Sequence, residues 1–242
     1  MIQPHLKINK INKFVILPGD PSRIDRVARY VKGFKEISFN REFRIANAKY
    51  KKMPISLVST GIGCPSAAIA VEELSKIGAR IVIRLGTCGG LLSEMESGNI
   101  VIPTSTICLD GTTREYQPDI KKVNADLQVI KTLEASAKNI NIKYFKGLNR
   151  THDAFYESEK NFIKISKIGF ISSEMECSAV FLVSKLRGLK AGAILVVKTP
   201  EPPELVKKNP EAIYKLTDDK KAEKGVDNAI RIVLESLLKL SH

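Results

Sequence analysis

The chain has 242 residues, 43% of them hydrophobic and 6% aromatic, with no tryptophan and a formal net charge of +13. That length and apolar content suit one α/β domain over residues 1–242 better than two small ones, and no apolar run approaches the ~20 residues needed to cross a bilayer. The charge points to nucleic acid or to small anions, but the basic residues are scattered, without aromatic interleaving or a compact basic helix, which disfavours nucleic acid.

In chain order, "MIQPHLKINKINK" lacks an apolar signal core, so an intracellular, cytoplasmic protein without a membrane partner is expected. "KFVILPGD" reads as a strand ending in a turn, and "SRIDRVARYV" has helical spacing at Ile24, Val27, Ala28 and Val31. "PISLVSTGIG" is a second strand-to-loop passage. The helix "PSAAIAVEELSKIG" follows, with Ala67, Ala70, Val71, Leu74 and Ile77 inward and Gly78 as its stop. "ARIVIRLGTCGG", "GNIVIPTSTI", "NIKYFKGLN" and "AGAILVVKTP" supply four more strands. "EMECSAVFLVSKLRG" and "GVDNAIRIVLESLLKL" are helices, and the proline-rich, charged "TPEPPELVKKNPEAIYKLTDD" reads as a surface excursion. The alternation predicts an α/β fold with a mixed β-sheet core flanked by helices.

Cys64, Cys88, Cys108 and Cys177 are widely spaced and form no CxxC pair, which favours neither a zinc site nor a disulfide framework. Arg84 is the conspicuous residue, a cation inside an apolar strand. It either reaches solvent or a buried carboxylate at the strand end, or grips an anion there. Three strands end in glycine-bearing turns, "LPGDPSR", "STGIGCPS" and "RLGTCGG", and two of these carry an arginine, Arg23 and Arg84. None fits a P-loop or a dinucleotide fingerprint, so a small anion such as phosphate is the leading candidate, and ordinary turns with solvated arginines are the alternative.

A wider pattern runs through the same stretches. "VILPGDPSRIDRVA", "NREF", "VSTGIGCPSAAIAVEEL", "IRLGTCGGL", "GNIVIPTST", "LDGTTREYQP", "DAFY" and "SSEMECSAVF" occur in the order found in hexameric nucleoside phosphorylases. From about His5 to Val197 the chain resembles the uridine and purine nucleoside phosphorylases of the nucleoside phosphorylase-I superfamily. The resemblance implies phosphorolysis of a nucleoside to free base and ribose 1-phosphate, with inorganic phosphate as co-substrate and no cofactor. It implies phosphate binding by Gly19, Arg23, Arg84 and Thr87, with Arg41 lent by a neighbouring subunit. For the ribose it implies His5, Glu174, Met175 and Glu176, and for the base Phe155, Glu159 and Asn161. Arg84 and Glu176 would carry the catalytic burden, and Arg84→Ala is expected to abolish phosphorolysis with the fold intact.

The resemblance implies at least a dimer, and usually a hexamer, with a monovalent cation such as K+ between subunits at Glu42, the Ile62 carbonyl and Ser66. The base end departs from both well-known patterns. Glu159 and Asn161 stand where uridine enzymes place Gln and Arg, and Lys198-Thr199 replaces the Ser-Asp pair of purine enzymes. Lys198, Glu201 and Glu204 are the substitutes within reach of the sequence. "LDGTTREYQP", "NREF" and "GIGCPS" favour uridine, with purine nucleosides, methylthioadenosine included, as the alternative. A nucleoside hydrolase and a non-catalytic nucleotide-binding protein are the readings from other classes.

Overall fold

The computed structural model describes residues 1–241. Ten strands and nine helices make up the described chain. The N-terminal part runs β1 (Phe14–Pro18), α1 (Arg23–Ala28), β2 (Lys32–Asn40), β3 (Phe43–Tyr50), β4 (Met53–Val58) and α2 (Cys64–Lys76). The middle holds β5 (Ile81–Gly90), β6 (Ile100–Cys108), α3 (Gly111–Tyr116), β7 (Lys122–Asn124), α4 (Leu127–Asn139) and β8 (Tyr144–Thr151). The C-terminal part comprises α5 (Glu159–Ser166), β9 (Ser172–Glu174), α6 (Cys177–Leu186), β10 (Lys190–Pro200), α7 (Pro203–Lys208), α8 (Ala212–Leu216) and α9 (Asp219–Leu240).

The expected mixed sheet is present. β5, the central strand, pairs in parallel with β1 and β10 and, at its last two residues, antiparallel with β9. β10 also pairs with β6, β6 with β8, and β8 with β9, so these five strands close a ring. β4, β3 and β2 extend the sheet outward from β1. Residues such as Val15, Ile16, Val82, Ile83, Leu85, Ile194 and Val196 are fully buried, as strands covered on both faces require.

Two differences from the sequence reading matter for the site. The span 32–50 holds two strands of a hairpin, whose tip residue Arg41 has φ 55°, in the left-handed region. The exposed residues of β2 mix charge with apolar side chains, Lys35 and Glu36 beside Ile37 and Phe39, which hides the strand pattern. The proline-rich stretch is the second difference: it begins as the end of β10 and continues into α7 and α8. Val206 of α7 packs with Leu91, Phe162 and Phe170 in a small apolar cluster of its own, so this stretch caps the sheet end.

Candidate active site

Arg84 lies at the middle of β5 and is 4% exposed. Its Nε donates to Glu174 Oε2 at 3.0 Å and its Nη2 to Glu176 Oε2. The arginine therefore reaches two buried carboxylates, the first of the alternatives its position left open. Burial opposes its charge, but Glu176 and Glu174 outweigh that and raise its pKa. Nη1 donates to no described residue, and the Cβ that Gly19 lacks would stand 3.8 Å from it. One edge of the guanidinium is thus locked and the other faces the β1 turn.

Glu174 ends β9 and is the structural anchor. It accepts from Asn149 Nδ2 at 2.9 Å, Thr151 Oγ1 at 2.6 Å and the backbone N–H groups of Glu176 and Cys177 at 2.8 and 2.9 Å. Burial works against its charge, but Arg84 and these donors hold its pKa below the ordinary carboxylate value. Every lone-pair direction of Glu174 is already engaged, which leaves it as support for Arg84. Glu176, at the N-cap of α6, is less committed: Oε1 takes the Gly63 N–H at 2.6 Å and Oε2 takes Arg84. Burial, together with the negative charge of Glu174, pushes its pKa up. A carboxylate has about four acceptor directions, so Glu176 retains capacity for hydroxyl donors. Met175, half-buried, adjoins it and turns its carbonyl to Cys64 Sγ.

Arg23, in the first turn of α1, donates Nη1–H to the Leu85 carbonyl at 2.9 Å. Burial, and next the like charge of Arg84, lower its pKa. Two guanidinium groups drawn together at this cost define a place for an anion. Gly19 adjoins it, its carbonyl accepting from Gly61 N at 2.9 Å, while Thr87, three residues along β5 from Arg84, makes no side-chain hydrogen bond among the described residues.

The remaining expected residues lie elsewhere. His5 and Arg41 lie together at the outer edge, where Asn40 Nδ2 donates to the His5 carbonyl at 2.8 Å and Glu73 holds His5 Nδ1 at 2.7 Å. No hydrogen bond of either side chain reaches Arg84 or Glu176 among the described residues. Glu42 and Ser66 meet at 2.7 Å, with Gly61 against the Glu42 side chain, while Ile62 is largely exposed. Phe155 is 72% exposed, edge-to-face with Tyr156. Glu159 is exposed in the first turn of α5, and Asn161 Nδ2 donates to Glu157 Oε2 at 2.8 Å. Lys198 pairs with Asp219 at the start of α9, and Glu204 is exposed on α7.

A further group lies beside Gly89; the sequence reading named Glu201 as a possible substitute at the base end but missed Arg150. Glu201 lies over Gly89 so closely that a Cβ there would overlap its carboxyl. Burial raises the Glu201 pKa to about 7, with Arg150 acting against and Glu157 with the burial. Arg150 of β8 is 2% exposed, donates Nε–H to Ser173 Oγ at 2.9 Å and pairs through Nη2 with Glu157. The Phe162 and Phe170 rings flank it, 5.8 and 5.2 Å from the guanidinium carbon. Nη2 also lies 3.0 Å from His152 Nε2, and burial, with help from Arg150, keeps that histidine below its ordinary pKa. β8 carries Lys146 and Asn149 and is half-buried or exposed before Asn149, so Arg150 gave no signal of the kind Arg84 gave.

Comparison with known proteins fits this geometry. Residues 13–238 match the model of the "Phosphorylase superfamily". The chain is 36% identical to a guanosine phosphorylase of Halorubrum lacusprofundi over 98% of this chain and 99% of that one. It is 33% identical to a uridine phosphorylase of Thermococcus kodakarensis, covering 79% of this chain and 74% of that one. Among solved structures, a Vibrio fischeri uridine phosphorylase superposes with TM-score 0.87 at 31% identity, covering 98% and 96% of the two chains. A Toxoplasma gondii purine nucleoside phosphorylase in complex with immucillin-H superposes with TM-score 0.88 at 29% identity, covering 99% and 96%. With these matches spanning nearly its whole length, the chain belongs to the phosphorylase superfamily, as a nucleoside phosphorylase of the pentosyltransferase class.

Proposed function

We propose that Arg84, Arg23, Thr87 and the Gly19 backbone hold inorganic phosphate against the underside of a ribose whose hydroxyls are taken by Glu176. The observation that carries this reading is the pairing of Arg23 with Arg84, two half-used cations beside a carboxylate that retains acceptor capacity. A phosphate oxygen attacks the anomeric carbon as the bond to the base breaks. The base leaves with that electron pair and takes a proton from the medium, while the phosphate proton is released. Positive charge that develops on the sugar lies next to the phosphate dianion, which supplies electrostatic stabilisation as well as position. Glu174 positions Arg84 and does not touch the sugar. Met175 packs on the ribose and Phe155 on the base.

Uridine is the first substrate reading, supported by the resemblance of "LDGTTREYQP" and by the named uridine phosphorylases among the relatives. Guanosine is the second, because the guanosine phosphorylase relative is matched over 98% of the chain. His5 and Arg41 serve a neighbouring subunit's site, in at least a dimer and in a hexamer by family habit, and Glu42, Ile62 and Ser66 border a K+ between subunits. Glu73, buried and bonded to the His5 ring and backbone, supports this by fixing the direction of a side chain that serves no local purpose. The nucleoside and phosphate reservoir that such an enzyme draws on is cytoplasmic. No helix among the described residues is long and apolar enough to cross a membrane.

The test is turnover of uridine and guanosine with and without inorganic phosphate, following ribose 1-phosphate. Phosphate-dependent formation of ribose 1-phosphate is expected. Release of free ribose in phosphate-free buffer would identify a hydrolase, and no turnover of either nucleoside would leave only binding.

A further inference from the structure

Gly89, Ser173 and Arg150 are direct cross-strand neighbours on β5, β9 and β8. Neighbours of this kind present their side chains to the same face, so Glu201, which lies over Gly89, and Arg150 belong to one row. Arg150 Nη1 is buried without a hydrogen-bond partner, one of three such side-chain atoms among the described residues. The other two are the hydroxyls of Ser136 and Ser184, which can rotate, whereas a guanidinium N–H direction is fixed by its Nε bond to Ser173. A buried donor left unmade costs free energy, and a retained one asks for a ligand. The Glu201 carboxyl likewise forms no hydrogen bond to any described residue, although its own backbone N–H is fixed on the Gly90 carbonyl at 2.7 Å.

Resting on the phosphorylase reading above, we propose that Arg150 and Glu201 read the nucleobase: Arg150 Nη1 donates to a ring carbonyl, and the Glu201 carboxylate accepts from the ring N–H beside it. The pair is complementary to a lactam edge, which uracil presents at O4 and N3–H and a 6-oxopurine presents at O6 and N1–H. Adenine offers an amino group and a bare ring nitrogen there, so both protein groups would be left unsatisfied. When a lactam base departs with the electron pair of the glycosidic bond, its negative charge spreads onto that carbonyl oxygen. A guanidinium on the oxygen stabilises the charge where it forms, a task that Lys198, held by Asp219, does not serve. Glu201 swings from Gly89 onto the base as the base enters. His152, Glu157, Phe162 and Phe170 hold the guanidinium in place.

The test is a kcat/KM panel of uridine, guanosine, inosine and adenosine, with 7-methylguanosine added because its cationic base leaves without becoming an anion. The wild-type enzyme is expected to favour lactam nucleosides over adenosine by at least about 100-fold, since a site built to pair a substrate N–H rejects the analogue lacking it. Glu201→Ala is expected to lower kcat/KM for the lactam substrates and narrow that gap, with the KM for phosphate unchanged. Arg150→Met is expected to lower kcat for guanosine about 100-fold while 7-methylguanosine loses under about 5-fold. Loss of both substrates together with a lost cooperative thermal transition is a folding failure, and Glu201→Ala then decides alone. Adenosine preferred by the wild type, or a Glu201→Ala panel unchanged, would overturn the base-reading role while leaving phosphorolysis intact. Absence of phosphate-dependent turnover from every wild-type reaction would overturn both.

Discussion

Arg84 and Glu174 form a closed ion pair at 3.0 Å, with both side chains at most 5% exposed. The pair joins the middle of β5 to the end of β9, and Glu176 shares the same guanidinium from the start of α6. One residue therefore ties the fold together at the place proposed for the anion.

Replacing Arg84 with alanine is expected to abolish phosphorolysis and also to destabilise the fold by about 3–5 kcal/mol, because two buried carboxylates lose their cation. The sequence reading expected the fold to survive intact, and the double ion pair is the reason that expectation changes. Arg84→Lys separates the two effects: a point charge retains much of the stability but loses the fork. A drop in kcat/KM above about 100-fold, with a thermal midpoint nearer wild type than the alanine variant, is the expected outcome. Activity within a few-fold of wild type would remove Arg84 from the phosphate site.

Glu176→Gln keeps the shape but replaces one carboxylate oxygen with an amide donor. Preference for ribose over 2′-deoxyribose substrates is expected to fall by about 10-fold, since one charged hydrogen bond to a hydroxyl is worth roughly 1.5 kcal/mol. Paired kcat/KM values for uridine and 2′-deoxyuridine measure this. An unchanged ratio would mean that Glu176 only supports Arg84.

Gly89→Ala places a methyl group where the Glu201 carboxyl lies, so Glu201 must move off the strand. The KM for nucleoside is expected to rise about 10-fold while the KM for phosphate stays constant, because the change lies at the base end of the site. An equal effect on both constants would place Gly89 at the anion end.

Glu201 gives a pH signature. Burial lifts its carboxyl to about 7, against 4.5 as the ordinary value, with Arg150 of β8, Glu157 beyond β8 and the Cys88 thiol of β5 around it. A carboxyl raised in the folded state costs stability only once it ionises: nothing below about pH 4.5, then increasingly, and in full above about pH 7. Glu201→Gln is therefore expected to stabilise the fold at pH 8 by roughly 2–3 kcal/mol and to leave it unchanged near pH 4. Denaturant midpoints at the two pH values decide it, and equal shifts would show that the carboxyl is solvated. Uridine turnover should likewise weaken below about pH 7, where the carboxylate needed for the ring N–H is lost.

Much of the site was legible because its chemistry breaks local patterns. Arg84 interrupts an apolar strand and stands out in one dimension, whereas Glu174 and Glu176 came through the resemblance that "SSEMECSAVF" carries. Their pairing with Arg84 was not legible, because β9 is three residues long, too short to show a period, and it meets β5 through far-apart residues such as Gly89 and Ser173. β2 and β3 stayed hidden since β2 exposes Ile37 and Phe39 among its charges and β3 exposes only Lys49, so neither shows a clean apolar–polar alternation. The strand read to Asn149 stops one residue short of Arg150, and Glu201 stood only as one of three substitutes because the prolines around it hide what it packs on. Those prolines mark a covering segment held down by Val206 on Phe162 and Phe170, a long-range contact that no local composition records.

The ring of five strands has a kinetic consequence. β10 bonds β5 along its whole length, and on the other flank β1 bonds residues 81–85 and β9 residues 89–90. The amides of residues 81–85 are held between two strands, so their deuterium uptake should report only global unfolding. The guanidinium proposed to meet the nucleophile is then mounted on the slowest-exchanging ribbon of the molecule, and any adaptation is left to the segments packed over the strand's end.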